Sequence, residues 1–427
     1  MLNKQQEVAS RKIEKWYDES EDQIFTLAGH AGTGKTYLIK YLVENVLPVD
    51  MGQVAYIAPT AKAASVLIKK GLPATTIHRL IYINDDEYEI NGRKVPHFIK
   101  KKEIPRFKLI IIDEVSMVSK EILKDIMSFG IKVLACGDPA QLPPVMAEDN
   151  GLLYHPDYTL TEIVRQESDN PIIQIATMAR NEQYIPYGKY GNDVYVVRRA
   201  QLSKSTMDKL LKDADQIICG TNANRRFLNS YIRELYGRKS QFPTVDDKVI
   251  CCQNNYDFDL GNDHEYPLAN GMIGYIKSFE RVNIESGLSK LTFQPDFIPD
   301  FVSDELISDD GIFLGKDFLY DRHQRVYKLK DDKYALVKSL SKIDGESDAV
   351  RRARIAEELQ NRNKAVKDFQ ISQFDFGYAI SCHKSQGSEW DNVIVFDESD
   401  CFKGLEYKWL YTAITRAKKK LIIIRGW

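Results

Sequence analysis

The segment GHAGTGKT, residues 29–36, constrains the fold of this chain more than any other stretch. It follows the apolar run at residues 24–28 and precedes the helical-looking stretch at residues 37–46, so a strand, a glycine loop and a helix succeed one another. The glycines let backbone N–H groups turn towards a bound anion, and Lys35 adds a cation beside them. The pattern therefore predicts a phosphate-binding loop at the carboxyl end of a parallel strand.

Further apolar runs alternate with helical stretches in the first third of the chain. Residues 54–58, 108–112 and 131–136 are near-continuous apolar segments, which is typical of parallel strands buried on both faces. Repeated βα units of this kind predict an α/β fold built on a doubly wound parallel sheet. Strand-like runs in the second half predict a second sheet domain of related architecture; they are residues 216–219, 393–396 and 421–424.

Composition excludes some classes of protein. The 427 residues are 43% hydrophobic and 28% charged, as in a globular protein with a core, and no apolar run approaches the ~18 residues of a membrane span. The formal net charge is -2, so a polyanion would have to be met by local basic patches. The six cysteines lack C-x-x-C spacing. We therefore expect a cytoplasmic protein with reduced thiols and no membrane partner.

Two adjacent acids follow the apolar run at residues 108–112. Asp113 is predicted to hold Mg²⁺ together with the hydroxyl of Thr36, and Glu114 to take the proton from an attacking water. A small-molecule kinase would not need a neighbouring glutamate to activate water, so the pair favours hydrolysis. Gln141 follows the next predicted strand, where its amide can touch the γ-phosphate of a nucleotide.

The ordered series of motifs resembles superfamily 1 DNA helicases of the RecD-like branch, and in size and layout the Dda-type phage helicases. The segments that carry this resemblance lie at residues 2–9, 29–36, 58–64, 75–80, 113–114, 137–145, 160–166, 220–222, 270–274, 383–389 and 411–417. The resemblance implies two RecA-like motor domains that bind ATP and Mg²⁺ between them.

Family motifs also imply roles for individual residues at the matching positions. The implied catalytic residues are Glu114, Gln141 and the two arginine fingers Arg165 and Arg416. The implied ATP-binding residues are Gln6, Gly29, Gly32, Thr33, Gly34, Lys35, Thr36 and Glu389, with Thr36 and Asp113 at the metal. The implied DNA-binding residues are Thr60, Lys62, His78, Pro144, Asn222, His383 and Lys384.

Several of these residues have a local alternative. Asn3 and Gln6 have the spacing of a helix capping box, so Gln6 has a structural role open to it besides reading adenine. Thr60 precedes a predicted helix and is a suitable N-cap. A lone histidine such as His78 is more often packed in a core than used as a ligand.

Two insertions interrupt the motor domains. Residues 81–107 contain Asn91-Gly92, the signal of a type I′ hairpin, with Ile90 expected opposite Arg93, Glu89 opposite Lys94 and Tyr88 opposite Val95. By resemblance this hairpin is the pin that splits a duplex, and residues 277–370 contain an SH3-like β-barrel with a helical extension. The first motor domain is then residues 1–80 and 108–158, and the second is residues 159–276 and 371–427.

The predicted activity is ATP-driven translocation on single-stranded DNA with unwinding of fork DNA, and the resemblance implies 5′→3′ movement by a monomer. Replication or recombination proteins are candidate partners. The alternatives are an ATPase subunit of a recombination or repair complex and a nucleotide-switched scaffold. RNA stays open as the track, because no residue visibly tests for a 2′-hydroxyl.

Overall fold

The computed structural model describes residues 2–85, 89–90, 93–94, 97–144, 147–163, 170–252, 255–259, 267–283, 288–298, 300–309 and 371–426. The chain forms two compact units, one made of Met1–Leu228 with Ala379–Trp427 and the other of Asn229–Tyr378. Among the described helices, none has the length and apolar character needed to cross a membrane.

The described helices are α1 (Lys4–Glu19), α2 (Lys35–Asn45), α3 (Ala61–Lys69), α4 (Ile77–Ile81), α5 (Lys120–Met127), α6 (Pro171–Arg180), α7 (Lys204–Asp213), α8 (Asn222–Leu235), α9 (Cys382–Ser385) and α10 (Glu406–Ile414). The described strands are β1 (Ile24–Gly29), β2 (Val54–Ala58), β3 (Ala74–Thr76), β4 (Tyr82–Asp85), β5 (Glu89–Ile90), β6 (Arg93–Lys94), β7 (His97–Lys100), β8 (Leu109–Ile112), β9 (Lys132–Gly137), β10 (Tyr158–Leu160), β11 (Gly188–Tyr190), β12 (Val194–Arg198), β13 (Gln216–Cys219), β14 (Lys248–Cys251), β15 (Asn255–Asp259), β16 (Pro267–Leu268), β17 (Ile273–Asn283), β18 (Leu288–Pro295), β19 (Leu306–Asp309), β20 (Ile371–Ser372), β21 (Phe374–Phe376), β22 (Ala379–Ser381), β23 (Trp390–Phe396) and β24 (Ala417–Arg425).

The first sheet consists of parallel strands in the order β10-β1-β9-β8-β2-β3. All four residues of β8 are buried, as a strand covered on both faces requires. One apolar cluster packs Ile13 of α1 and Leu38 of α2 against the sheet, and a second cluster contains Ile126 of α5 and Ile110 of β8. The doubly wound α/β architecture predicted for this part of the chain is confirmed.

The second sheet belongs to the same compact unit. Its strand order is β11-β12-β24-β23-β13-β22, and all its neighbours are parallel except the β11–β12 pair. Trp409 and Ile414 of α10 are fully buried, and so is Leu421 of β24. A second parallel sheet of related architecture, expected from the apolar runs in the second half, is therefore present.

The other unit contains an antiparallel sheet in which only β19 and β20 run parallel, with the order β20-β19-β18-β17-β14-β21. Its bounds differ from the predicted insertion at residues 277–370, because β14 pairs Val249 with both Gly274 and Phe376. These ladders join segments far apart in sequence, which composition does not mark. Residues 310–370, including the predicted helical extension, lie outside the described residues.

Asp247 is the polar centre of this second unit. Its carboxylate is fully buried and accepts hydrogen bonds from Arg233 Nη2 at 3.0 Å, Tyr378 Oη at 3.0 Å and Thr244 N at 2.7 Å. Buried charges require partners of this kind, so the network fixes the end of α8 beside β14 and β21.

Two short antiparallel ladders occupy the predicted pin region. In β4 and β7, Tyr82 pairs with Lys100 and Asp85 with His97. In β5 and β6, Glu89 pairs with Lys94 and Ile90 with Arg93, which is the register expected from Asn91-Gly92. The Asn-Gly turn itself and the predicted pair of Tyr88 with Val95 lie outside the described residues.

Candidate functional site

The glycine loop joins β1 to α2 at the carboxyl edge of the first sheet. Gly32 and Gly34 have φ angles of 78° and 75°, in the left-handed region that glycine adopts without strain. Gly34 is the N-cap of α2, so the positive end of the helix dipole points at the loop. A Cβ at Gly29 would lie 2.8 Å from Thr33 Oγ1, so a larger residue would distort the loop.

Lys35 is the first residue of α2, and its ammonium lies over the same loop. The Nζ atom donates to the backbone oxygens of Gly29 at 2.5 Å and His30 at 3.3 Å. A helix N-terminus and a lysine thus meet at the glycine loop, which is an arrangement suited to binding nucleotide phosphates.

Gln6 combines two roles at the start of α1. Its Oε1 accepts from the backbone N–H of Asn3 at 3.0 Å, which completes the capping box. Its Nε2 donates to the backbone oxygen of Thr33 at 3.1 Å, within the glycine loop. The capping alternative and contact with the nucleotide loop therefore coexist, while recognition of adenine by Gln6 stays a prediction.

Asp113 and Glu114 emerge at the carboxyl end of β8, beside the loop. Glu114 has a φ of 55°, a left-handed conformation that costs a non-glycine residue roughly 1 kcal/mol or more. Burial raises the pKa of Asp113, although the ammonium of Lys35 opposes this. Burial and the charge of Asp113 also raise the pKa of Glu114 to about 7, against the opposing charges of Arg416 and Lys35. A carboxyl with such a pKa is suited to accept a proton.

Gln141 lies in the segment that follows β9. Only 6% of its surface is exposed, and its Oε1 has no hydrogen-bond partner among the described residues. A buried amide oxygen without a partner costs free energy unless a ligand or water satisfies it. This observation is consistent with the predicted contact between Gln141 and a bound nucleotide or its attacking water.

Arg416 follows α10 in the second sheet, and only 4% of its surface is exposed. Its guanidinium donates to the backbone oxygens of Thr412 at 2.9 Å and Ser388 at 3.2 Å. The charge of the same guanidinium opposes the rise in the pKa of Glu114 beside the first sheet, so Arg416 acts electrostatically on the predicted general base. Folding thus brings the charge of Arg416 within electrostatic reach of Glu114, while its role as an arginine finger stays a prediction. The other predicted finger, Arg165, lies outside the described residues.

Hydrogen bonds from the second sheet hold the segment around Gln141. The backbone N–H of Leu142 donates to Thr412 Oγ1 at 3.0 Å, and its backbone oxygen accepts from Gln386 Nε2 at 3.0 Å. Tyr411 on the same helix contacts the glycine loop, since its hydroxyl accepts from the N–H of Ala31 at 3.0 Å. The site is therefore composed of residues from both sheets.

Four of the residues predicted to contact DNA lie beside the first sheet, and they differ in their contacts and burial. Thr60 Oγ1 accepts from the N–H of Ala63 at 3.1 Å, so it caps α3 as the local alternative proposed. Lys62 is 9% exposed, with Nζ 6.0 Å from the ring centroid of Trp390. His78 packs beside Tyr82, and burial lowers its pKa. Pro144 is half-buried at the end of the Gln141 segment. Their contacts with DNA stay predictions.

On the second sheet, Asn222 is exposed at the start of α8 and accepts from Arg225 Nε at 3.2 Å. His383 packs against Phe402, and burial lowers its pKa. Lys384 is half-buried, while Glu389, the predicted ribose ligand, is exposed. None of these predicted contacts with DNA or ribose is tested by the geometry.

Glu398 holds the segment just before α8 and was not predicted as a functional residue. Its carboxylate accepts from the N–H groups of Gly220 at 2.7 Å and Thr221 at 3.1 Å, and from Asn224 Nδ2 at 2.7 Å. A sequence separation of more than 170 residues leaves no local signal for this contact. Asp138 and Tyr411 were also not assigned, although both lie inside the quoted motifs.

The donor set at the loop fits a magnesium ion. The Thr36 hydroxyl and the Asp113 carboxylate are hard oxygen ligands, and Mg²⁺ commonly takes one or two such protein ligands beside phosphate and water. Burial raises the pKa of Asp113 against the opposing charge of Lys35, and a cation bound beside the carboxylate would favour its ionised form.

Comparison with known proteins agrees with this site. A model of the AAA domain matches residues 1–190, and a model of the UvrD-like helicase C-terminal domain matches residues 376–424. The ATP-dependent DNA helicase Dda of Enterobacteria phage T4 is 30% identical over 53% of this chain and 54% of its own length. The ATP-dependent RecD2 DNA helicase of Deinococcus radiodurans is 35% identical over 36% of this chain and 21% of its own. The aligned regions thus span about half of Dda and a fifth of RecD2.

A solved structure supports the fold. The Pif1 helicase from Bacteroides, crystallised with ADP-AlF3 and single-stranded DNA, aligns with a TM-score of 0.50 and 18% identity. The alignment covers 99% of this chain and 92% of that one. The two-sheet architecture, the ordered motifs and the two domain matches agree with one another, and the chain is related in sequence to the helicases Dda, RecD2 and Pif1.

Proposed function

We propose that this protein is an ATP-dependent DNA helicase. The observation that carries the proposal is that the second sheet completes the site on the first: Thr412 Oγ1 accepts from the N–H of Leu142 at 3.0 Å, and the charge of Arg416 acts on Glu114 beside the glycine loop. An arginine that reaches a general base from another sheet makes hydrolysis sensitive to the relative position of the two sheets. This sensitivity is what a motor requires, and Dda and RecD2 are named as helicases.

In the hydrolysis step, Lys35 and the loop N–H groups hold the phosphates of ATP. Glu114 takes a proton from the attacking water while the water oxygen bonds to the γ-phosphorus and the bond to the β–γ bridging oxygen breaks. Arg416 stabilises the charge that develops on the transferred group, and Arg165 is proposed to do the same. Mg²⁺ held by Thr36 and Asp113 would neutralise phosphate charge.

Coupling to DNA would use the bonds between the sheets. Leu142 is held by Thr412 and Gln386 of the second sheet, so any shift of that sheet is transmitted to the Gln141 segment. If binding of ATP and loss of phosphate alternately close and open the cleft, two alternating grips on a single strand become directed movement.

Several finer features remain part of this proposal. The direction of movement along single-stranded DNA is 5′→3′. The β5–β6 hairpin is the pin that splits the duplex, and the Asn229–Tyr378 unit contains an SH3-like barrel. Action by a monomer in the cytoplasm and contact with replication or recombination proteins are also proposed. Support comes from the family resemblance together with the hairpin register.

The test is ATP turnover measured with single-stranded DNA, RNA and duplex DNA side by side. We expect single-stranded DNA to stimulate turnover at least about tenfold, with Lys35→Ala as the inactive control. Strand displacement on substrates with opposite overhangs then reports direction, and a requirement for a 5′ tail is expected. Turnover that is indifferent to single-stranded DNA would rule out the motor function.

A further inference from the structure

A tyrosine hydroxyl of the second sheet reaches into the glycine loop of the first. Tyr411 lies on α10, and only 2% of its surface is exposed. Its hydroxyl donates to Asp138 Oδ2 at 2.6 Å and accepts from the backbone N–H of Ala31 at 3.0 Å. Both bonds cross from one sheet to the other, and the second one ends on a loop residue that surrounds the phosphate position.

Asp138 connects this hydroxyl to the same loop by a second route. Its carboxylate is fully buried, and its Oδ1 lies 3.3 Å from His30 Nδ1 and accepts from Ala140 N at 3.0 Å. Burial opposes the charge, but the bonds from His30 and Tyr411, with the nearby ammonium of Lys35, together lower the pKa of Asp138. The result is a closed ring of contacts through His30, Asp138, Tyr411 and Ala31.

The helix that carries Tyr411 also positions the arginine finger. Thr412, the next residue, accepts from the N–H of Leu142 through Oγ1 and accepts from Arg416 Nε through its backbone oxygen at 2.9 Å. Two neighbouring residues thus attach α10 to the first sheet, and the Arg416 guanidinium is bonded to one of them. A displacement of Tyr411 would therefore displace Arg416 relative to Glu114.

We propose that Tyr411 is a positioning residue for ATP hydrolysis, whose hydroxyl fixes the glycine loop and α10, the helix that precedes Arg416, in one arrangement. The inference rests on the proposed ATP hydrolysis and assigns to it a residue that acts through the glycine loop and Arg416. Tyr411→Phe removes the hydroxyl while keeping the buried ring, and it leaves Asp138 Oδ2 and the Ala31 N–H without their partner. A buried charged acceptor that loses its donor destabilises the arrangement that held it.

The first test is steady-state ATP hydrolysis by Tyr411→Phe, with Tyr407→Phe as the matched control. Tyr407 lies on the same helix but is 37% exposed. We expect kcat to fall about tenfold in Tyr411→Phe and to change less than about twofold in the control. Equal turnover in the two variants would overturn the proposal.

A double-variant cycle separates positioning from a general structural effect. If Tyr411 acts on kcat through Arg416, the variant Tyr411→Phe/Arg416→Ala should have the same kcat as Arg416→Ala alone. Independent action would multiply the two losses, and that result would contradict the proposed route.

Amide hydrogen exchange provides a readout that does not depend on turnover. The Ala31 amide should exchange about five- to tenfold faster in Tyr411→Phe than in the wild type, and Tyr407→Phe should leave its rate unchanged. An unchanged Ala31 rate in Tyr411→Phe would overturn the role of the hydroxyl even in an inactive protein. If single-stranded DNA failed to stimulate ATP turnover by the wild type, that result would count against the proposed function. The exchange rate of the Ala31 amide would still decide the role of Tyr411.

Discussion

The side-chain amide of Gln386 donates to the backbone oxygen of Leu142 at 3.0 Å, and thereby bonds the loop before β23 to the segment that contains Gln141. The next residue, Gly387, has a φ of +70°, and a Cβ built on it would lie 3.0 Å from the Cβ of Ala63 on α3. Gln386 and Gly387 therefore lie in close contact with two segments that flank the first sheet, the segment of Gln141 and α3.

Substitution of Gly387 should impair turnover more than substitution of a comparable glycine elsewhere. Gly387→Ala adds a methyl group against Ala63 in addition to the backbone strain of about 1 kcal/mol. Gly404→Ala is the control, because its φ of +79° is similar but nothing lies within 4 Å of the added Cβ. In urea denaturation, the backbone strain should lower the free energy of unfolding of both variants by a similar amount, and the clash with Ala63 should lower it further in Gly387→Ala. Only Gly387→Ala should lose about tenfold in ATP turnover. Equal turnover would show that the contact with Ala63 is dispensable.

Replacement of the general base should separate ATP binding from hydrolysis. Glu114→Gln keeps the shape of the side chain but cannot take a proton, so kcat should fall about 10²–10⁴-fold. The dissociation constant of a fluorescent ATP analogue should change less than about threefold, since the loop and Lys35 are intact. A variant that retained turnover would remove Glu114 from its assigned role and would favour another base.

Removal of the hairpin tip should uncouple unwinding from hydrolysis. Asp85 and His97 are direct cross-strand partners, so residues 86–96 can be replaced by Asn-Gly, which closes a two-residue type I′ turn. We expect single-stranded DNA to stimulate the ATPase as before, while strand displacement falls below detection. Parallel loss of both activities would argue against a pin and for a role in folding.

Glu398 should control the affinity for single-stranded DNA. In Glu398→Ala, the N–H groups of Gly220 and Thr221 lose a charged acceptor, so the loop that precedes Asn222 is no longer held in place. We expect the dissociation constant for single-stranded DNA, measured by fluorescence anisotropy, to rise about tenfold. Asp400→Ala is the control, because Asp400 is exposed two residues further along. An unchanged affinity in Glu398→Ala would place DNA elsewhere.

His383 should make the fold sensitive to mild acid. Burial lowers its pKa in the folded state, so the unfolded chain binds the proton more readily. Its contribution to stability is therefore complete above the unfolded pKa of about 6.5 and decreases as the pH falls below that value, by at most about 1.4 kcal/mol per pH unit. Urea denaturation at pH 7.5 and 5.5 should show a smaller difference for His383→Gln than for the wild type. His155→Gln, at an exposed histidine, should behave like the wild type.

Local patterns were sufficient for the phosphate loop and for the two sheets. Glycine spacing encodes the left-handed turns at Gly32 and Gly34, and continuous apolar runs encode strands such as β8 that are buried on both faces. The hairpin register followed from Asn91-Gly92, because turn type determines which residues face one another. These features depend on neighbours within a few residues, so they can be read without coordinates.

Only the folded chain decided which distant groups meet. The charge of Arg416 acts on Glu114, Tyr411 bonds Asp138 and Glu398 holds Gly220, although the members of each pair are at least 178 residues apart in the sequence. Buried polar groups must find partners wherever the packing of sheets places them, and no spacing rule in the chain states which partner that is. For the same reason composition does not mark the β14 ladder, which joins β14 to β17 and β21 within the unit Asn229–Tyr378.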